Sequence, residues 1–137
     1  MPDDQATRIE RLGALAVEVS ANVADGQTVI VRASLEVSGV EVIGVGAPRL
    51  PHITCLGVAG VEAEAVLLAL DQAGIAVHSG SACSSEALEP SPVLAAMGAA
   101  SERSLRVSVG WSTTDDDVEA YCRAFGPAVE RLRALNA

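Results

Sequence analysis

The stretch SLRVSVG, residues 104–110, alternates strictly: Leu105, Val107 and Val109 fall on one side of an extended chain, Arg106 and Ser108 on the other. An alternating strand of this kind is buried on one face only. It is followed by STTDDDVEAYCRAF, in which cap-type residues and carboxylates suit a helix N-terminus, and Val118, Tyr121, Cys122 and Phe125 form an apolar stripe. A half-buried strand running into an amphipathic helix narrows the architecture to layers. The order of elements along the chain predicts an α+β fold, a small, mostly antiparallel sheet with helices packed on one face. At 137 residues the chain suits one domain, read as residues 1–137. Half its residues are apolar, yet it has one Phe, one Tyr and one Trp, so the core must be built from Ala, Val, Leu and Ile.

Other elements follow from the same periodicities. Ile9, Leu12, Ala16, Val19 and Val23 recur at helical spacing, predicting a helix over Gln5 to Val23 that ends at ADG. TVIVRASLEV and VEVIG are rich in β-branched residues and predict a strand pair split by Ser38-Gly39. APRLP reads as a loop leading into the strand HITCLGV. Ala63, Val66, Leu67 and Leu70 form the apolar face of a helix that Gly74 should stop. IAV predicts a brief strand, SPVLAAMG a short helix with Pro92 in its first turn, and Pro127 a kink or restart in the last helix.

Charge and absences exclude whole classes. A formal net charge of −9 argues against a protein that tracks nucleic-acid phosphates. No apolar run approaches the ~20 residues a membrane span needs, and the N-terminus lacks the basic and apolar regions of a secretory signal. Three cysteines, 28 and 39 residues apart, form neither a disulfide framework nor a CxxC metal motif, which points to a reducing, cytoplasmic setting. All nine basic residues are arginine. Chemistry that needs a lysine amine cannot be completed by this polypeptide alone.

Four residues could carry chemistry. Cys83 sits in SGSACSSEALEPS, residues 79–91, where serine, glycine and alanine cannot enclose a thiol in apolar contacts. Such a thiol is exposed and suited either to nucleophilic work in a mobile loop or to nothing beyond an incidental surface position. Arg106, on the polar face of its strand, can present its guanidinium fork to a carboxylate or simply pair with a surface acid. His78 precedes Cys83 by five residues and would lower its pKa if the loop folds back, or is an ordinary loop residue. His52 has a weaker case, and Cys55 and Cys122, on apolar strand and helix positions, are assigned to the core. No metal spacing joins these groups.

The segment LPHITCLGVAGVEAEAVLLALDQAGIAVHSGSACSSEALEPSPVLAAMG, followed by SLRVSVGWSTTDDDVEAYCRAFGPAVERLRAL, resembles the C-terminal domain of cysteine desulfurases. These are pyridoxal phosphate enzymes of the class V aminotransferase fold, and the long cysteine loop resembles the branch that serves iron–sulfur cluster assembly. The resemblance runs from about Ala6 to Leu135. It implies that Cys83 is the catalytic cysteine that takes sulfur from L-cysteine as a persulfide, leaving alanine, and passes it to an acceptor. It implies that Arg106 binds the substrate carboxylate and makes Ser79, Gly80 and Ser81 candidate cofactor contacts; His78, as a possible modulator of the site, rests only on its nearness to Cys83.

The family's lysine-bearing domain has no counterpart here. The implied cofactor, pyridoxal phosphate, would therefore come only through a partner chain, and this chain would bind none covalently. Implied partners are that lysine-bearing chain, a sulfur-acceptor protein acting as scaffold or carrier, and further copies of this chain. The reading is one part of a split cysteine desulfurase; the alternatives are a freestanding persulfide carrier and a non-catalytic interaction domain. His78, Glu86 and Trp111 depart from the residues usual in the family at those positions.

Overall fold

The computed structural model describes residues 21–79 and 91–137, with side chains from residue 25 onward. The first part of the expected helix, Cys83 and the rest of residues 80–90 lie outside the described residues. Four strands build an antiparallel sheet in the order β1-β2-β4-β3. In chain order the elements are helix α1 (Ala21–Leu35), strands β1 (Val40–Val42) and β2 (Ile53–Val58), helix α2 (Ala63–Gln72) and strand β3 (His78–Ser79). After the undescribed segment come helix α3 (Pro92–Ala96), a 3-10 turn (Ser101–Arg103), strand β4 (Ser104–Ser108) and helix α4 (Asp115–Leu135).

The sheet is organised around β4. Its alternation places Leu105, Val107 and the following Val109 in the core, none more than 6% exposed, while Arg106 is half-buried and Ser108 exposed. The neighbouring β2 runs antiparallel to it, pairing Ile53 with Ser108, Cys55 with Arg106 and Leu56 with Leu105. Thr54, Leu56 and Val58 of β2 are the buried set. Onto this face pack Ile30 of α1, Val66 and Leu70 of α2, and Val118, Tyr121, Phe125 and Val129 of α4, forming one apolar cluster. The α+β expectation, with helices on one face of an antiparallel sheet, holds among the described residues.

Helix ends are set by local chemistry. At α2, Gly74 adopts φ +79, and the amide hydrogens of Gly74 and Ile75 donate to the carbonyls of Asp71 and Leu70, both at 2.9 Å. That is the Schellman arrangement, and it explains why a glycine stops the helix there. At α3, Ser91 Oγ accepts from the Leu94 amide at 3.4 Å and Pro92 opens the first turn. At α4, Thr114 Oγ1 accepts from the Asp117 amide at 3.2 Å while Asp117 Oδ2 accepts from the Thr114 amide at 2.8 Å, a reciprocal capping box.

Three expectations are corrected. TVIVRASL is not a strand: it lies in α1, which also runs through Ala24-Asp25-Gly26 rather than ending there. Besides Gly26, the buried positions described in α1 are Gln27, Ile30 and Ser34, spaced three and four apart. Two of the three are polar, so the helical stripe is invisible to a hydrophobic period. Each makes a hydrogen bond: Gln27 Nε2 donates to the Val107 carbonyl at 3.3 Å, although its Oε1 is buried without a partner among the described residues, and Ser34 Oγ donates to the Ile30 carbonyl at 2.7 Å. The β-branched Val29 and Val31 that suggested a strand lie off that buried stripe. The strand predicted at IAV, residues 75–77, instead begins directly after it, at His78–Ser79. Finally, α4 continues through Pro127 to Leu135 as one element. Pro127 is exposed, so its ring lies on the outer side of the helix, which forgoes one backbone hydrogen bond at that turn.

Candidate functional site

Because paired residues in an antiparallel ladder point to the same side, the register fixes which side chains share the face opposite the helices. Cys55 of β2 pairs with Arg106 of β4, and Arg106 pairs in turn with His78 of β3. The three form a straight row across three strands, with the arginine in the middle. Ile43, whose amide donates to the Cys55 carbonyl at 2.9 Å, extends the row beyond β2. Directly opposite residues hold their Cβ atoms about 5 Å apart, so each neighbour of Arg106 is within reach of its side chain.

Arg106 is half-buried, and among the described residues no carboxylate pairs with it. A guanidinium that has lost part of its water and gained no anion is a ready ligand for a carboxylate, which it can grip with two parallel hydrogen bonds. His78 is exposed, its Nδ1 lying 3.1 Å from the Ser79 carbonyl oxygen. Ser79 pairs with Leu105, so its register position belongs to the core face, away from Arg106. Gly80, Ser81 and Cys83 lie outside the described residues.

The placement of Cys55 in the core is corrected. Its neighbours Thr54 and Leu56 point inward, and Cys55 lies half-buried on the face of Arg106. Burial pushes its thiol above the usual value, and the positive charge of Arg106 pulls it partly back. Cys122 is half-buried against the edge of the apolar cluster, as its helical stripe predicted; burial, followed by the nearby Glu36 carboxylate, raises its thiol. His52 is half-buried beside β2, with Nδ1 shielded from solvent and without a hydrogen-bond partner. Among the described residues no three His, Cys, Asp or Glu side chains cluster closely enough to hold a metal ion. A cleft of about 470 Å³ lies along β1 and Ala99–Arg103, lined by Glu41, Ile43, Gly57 and Arg103 among others, but Arg106 does not border it.

Cys55 as the neighbour of Arg106 is what the sequence reading missed. In ITCLGV both alternating sets are largely apolar, so the phase of the strand is not written in hydrophobicity. The signal that could have found it is the pairing with SLRVSVG, whose phase is unambiguous.

This sheet and its sequence can be set beside known proteins. Residues 14–121 match the model of the family described as Aminotransferase class-V. The chain belongs to that family. Its relatives include the cysteine desulfurase of Klebsiella pneumoniae, 42% identical over 103 residues, a match covering 73% of this chain and 26% of the relative. The cysteine desulfurase of Trichormus azollae is 43% identical over 99 residues, covering 70% of this chain and 25% of the relative. Among solved structures, a NifS-like protein from Rickettsia africae superposes with a TM-score of 0.67 at 25% identity, covering 80% of this chain and 28% of that one. The chain thus spans about a quarter of the length of the curated relatives it matches.

The class-V family depends on pyridoxal phosphate. The residues of this chain do not by themselves make a site for that cofactor. Its aldehyde is held by a lysine amine, and all nine basic residues here are arginine. What the described residues do offer is Arg106, half-buried on the sheet face opposite the apolar cluster. No helix among the described residues is long and apolar enough to cross a membrane.

Proposed function

We propose that this chain is the sulfur-accepting part of a cysteine desulfurase whose lysine and cofactor contacts lie outside this sequence, in our reading on a second polypeptide. Arg106 binds the carboxylate of L-cysteine and so orients its sulfur. Cys83 takes that sulfur as a persulfide and hands it to an acceptor protein, such as a scaffold for iron–sulfur assembly. The observation that carries the reading is Arg106: half-buried, on the sheet face opposite the apolar cluster, with no carboxylate partner among the described residues. A protein that only carried persulfide would need a thiol and would have no use for such a clamp.

The test is reconstitution. The chain alone, supplied with pyridoxal phosphate and L-cysteine, should release neither alanine nor sulfide. Mixed with a lysine-bearing class-V polypeptide that lacks this part of the fold, it should release both, and Cys83→Ser should abolish sulfur transfer. Arg106→Lys keeps the charge but loses the planar fork, so it should raise the KM for cysteine at least tenfold while leaving the circular dichroism spectrum unchanged. If sulfur instead reaches Cys83 from a complete desulfurase, and Arg106→Lys changes nothing, the chain is a carrier.

A further inference from the structure

The row Cys55–Arg106–His78 places a second thiol beside the carboxylate ligand, and the proposed reaction does not use it. We propose that Cys55 is a thiolation site for small disulfides that carry α-carboxylates, with L-cystine as the simplest member. Arg106 recruits such a disulfide by its carboxylate, and the resulting mixed disulfide at Cys55 closes the carboxylate site. The inference rests on the reading of Arg106 given above.

Geometry and chemistry agree. In half-cystine only Cα and Cβ separate the carboxylate from the sulfur. A molecule anchored on the Arg106 guanidinium therefore lays its disulfide within a side chain's length of Cβ of Cys55, about 5 Å from that of Arg106. Cys55 is half-buried, open enough to be reached by a small molecule. In the reaction, the Cys55 thiol loses its proton to solvent and the thiolate sulfur attacks one sulfur of the disulfide. A new S–S bond forms, the old one breaks, and the departing half leaves as a thiolate with the electron pair and takes up a proton. Cys55 is oxidised and one half of the disulfide is reduced. The product holds a cysteine carboxylate against Arg106, where the substrate would bind, until an external thiol reverses the exchange. Burial, which raises the thiol, makes the reaction slow at neutral pH and faster as pH rises.

The experiment uses a chain with Cys83→Ser and Cys122→Ser, leaving Cys55 as the one thiol of the original three. It is exposed to L-cystine or to cystamine, the same disulfide without carboxylates, and the adduct is followed by intact mass and peptide mapping. The net charge of −9 favours the dicationic cystamine at long range, so a preference for cystine must come from the site itself. Cystine should modify Cys55 at least tenfold faster than cystamine. Arg106→Gln should remove that preference: withdrawing the positive charge beside the thiol changes its reactivity toward both disulfides alike, so the ratio of the cystine rate to the cystamine rate should fall to about one. Equal rates in the parent, a preference that survives Arg106→Gln, or no adduct at Cys55 would each overturn the proposal. Binding of L-alanine, measured by the Arg106 guanidinium NMR signal in Cys55→Ser, separates the two readings. Binding without a cystine preference defeats only the thiolation site, whereas no binding defeats the carboxylate role of Arg106 as well.

Discussion

The hydroxyl of Ser34 and the phenol of Tyr121 meet at 2.8 Å inside the protein, joining α1 to α4 across a separation of 87 residues. Ser34 also donates to the Ile30 carbonyl, and the Tyr121 ring stacks on Phe125 with centroids 5.3 Å apart. The phenol therefore satisfies its one polar atom while its ring fills the core, as a buried tyrosine must.

Tyr121→Phe keeps the stacking and leaves Ser34 its bond to Ile30. It should cost only about 1 kcal/mol, measured by urea denaturation at neutral pH. Burial raises the Tyr121 phenol well above its ordinary value, the Ser34 bond opposes that, and Cys122 adds slightly to the rise. The neutral phenol is thus favoured more in the folded chain than in the unfolded one. Its contribution is complete below the unfolded value of about 10 and is lost as pH rises from there toward the folded value. Tyr121→Phe should accordingly flatten the alkaline loss of stability, and an unchanged alkaline profile would count against this account.

A second prediction concerns the C-terminal turn of α4. Arg133 donates from Nε at 2.9 Å and from Nη2 at 2.7 Å to the one carbonyl of Ala59. The same guanidinium lies against Gly39 and Gly60, both at positive φ, where side chains would be strained as well as crowded. Arg133→Ala should lower stability by about 1–2 kcal/mol, and Arg133→Lys should recover less than half, because an ammonium cannot present the paired donors. Thermal melting of the two variants checks the order.

The capping box predicts an acid-side effect. Thr114→Ala should cost about 1 kcal/mol, the usual loss for a threonine cap. Hydrogen bonds from the Thr114 backbone and then its side chain hold the Asp117 carboxyl below its ordinary value. A depressed carboxyl stabilises the fold above its unfolded pKa of about 3.9, and that stability disappears as pH falls through the folded value. The gap between Thr114→Ala and the parent should therefore narrow as pH drops from neutral toward about 2, which denaturation curves at a series of pH values will show.

How much of this was legible in the sequence depended on whether burial was written in apolar residues. Around β4, α2 and α4 it was, and the alternation of SLRVSVG alone placed Arg106 on the face opposite the core. Around α1 it was not, because Gln27 and Ser34 occupy core positions through hydrogen bonds that depend on Val107, Ile30 and Tyr121, mostly distant in the chain. The β-branched run Thr28–Val31 then pulled the reading toward a strand, a local preference overruled by tertiary packing. The site shows the same division. Arg106 could be read from one strand, but its flanking by Cys55 and His78 is a property of register between strands, which no single stretch of sequence contains.

The sheet keeps its longer strands inside, six residues in β2 and five in β4, and gives its margins to β1 and β3, of three and two. Backbone groups left over at a margin are what a foreign strand would zip onto. Among the described residues each margin offers two or three positions, a short template for fibrillar stacking. The face that presents Arg106 thus lies between margins that, within those residues, give a foreign strand little to pair with.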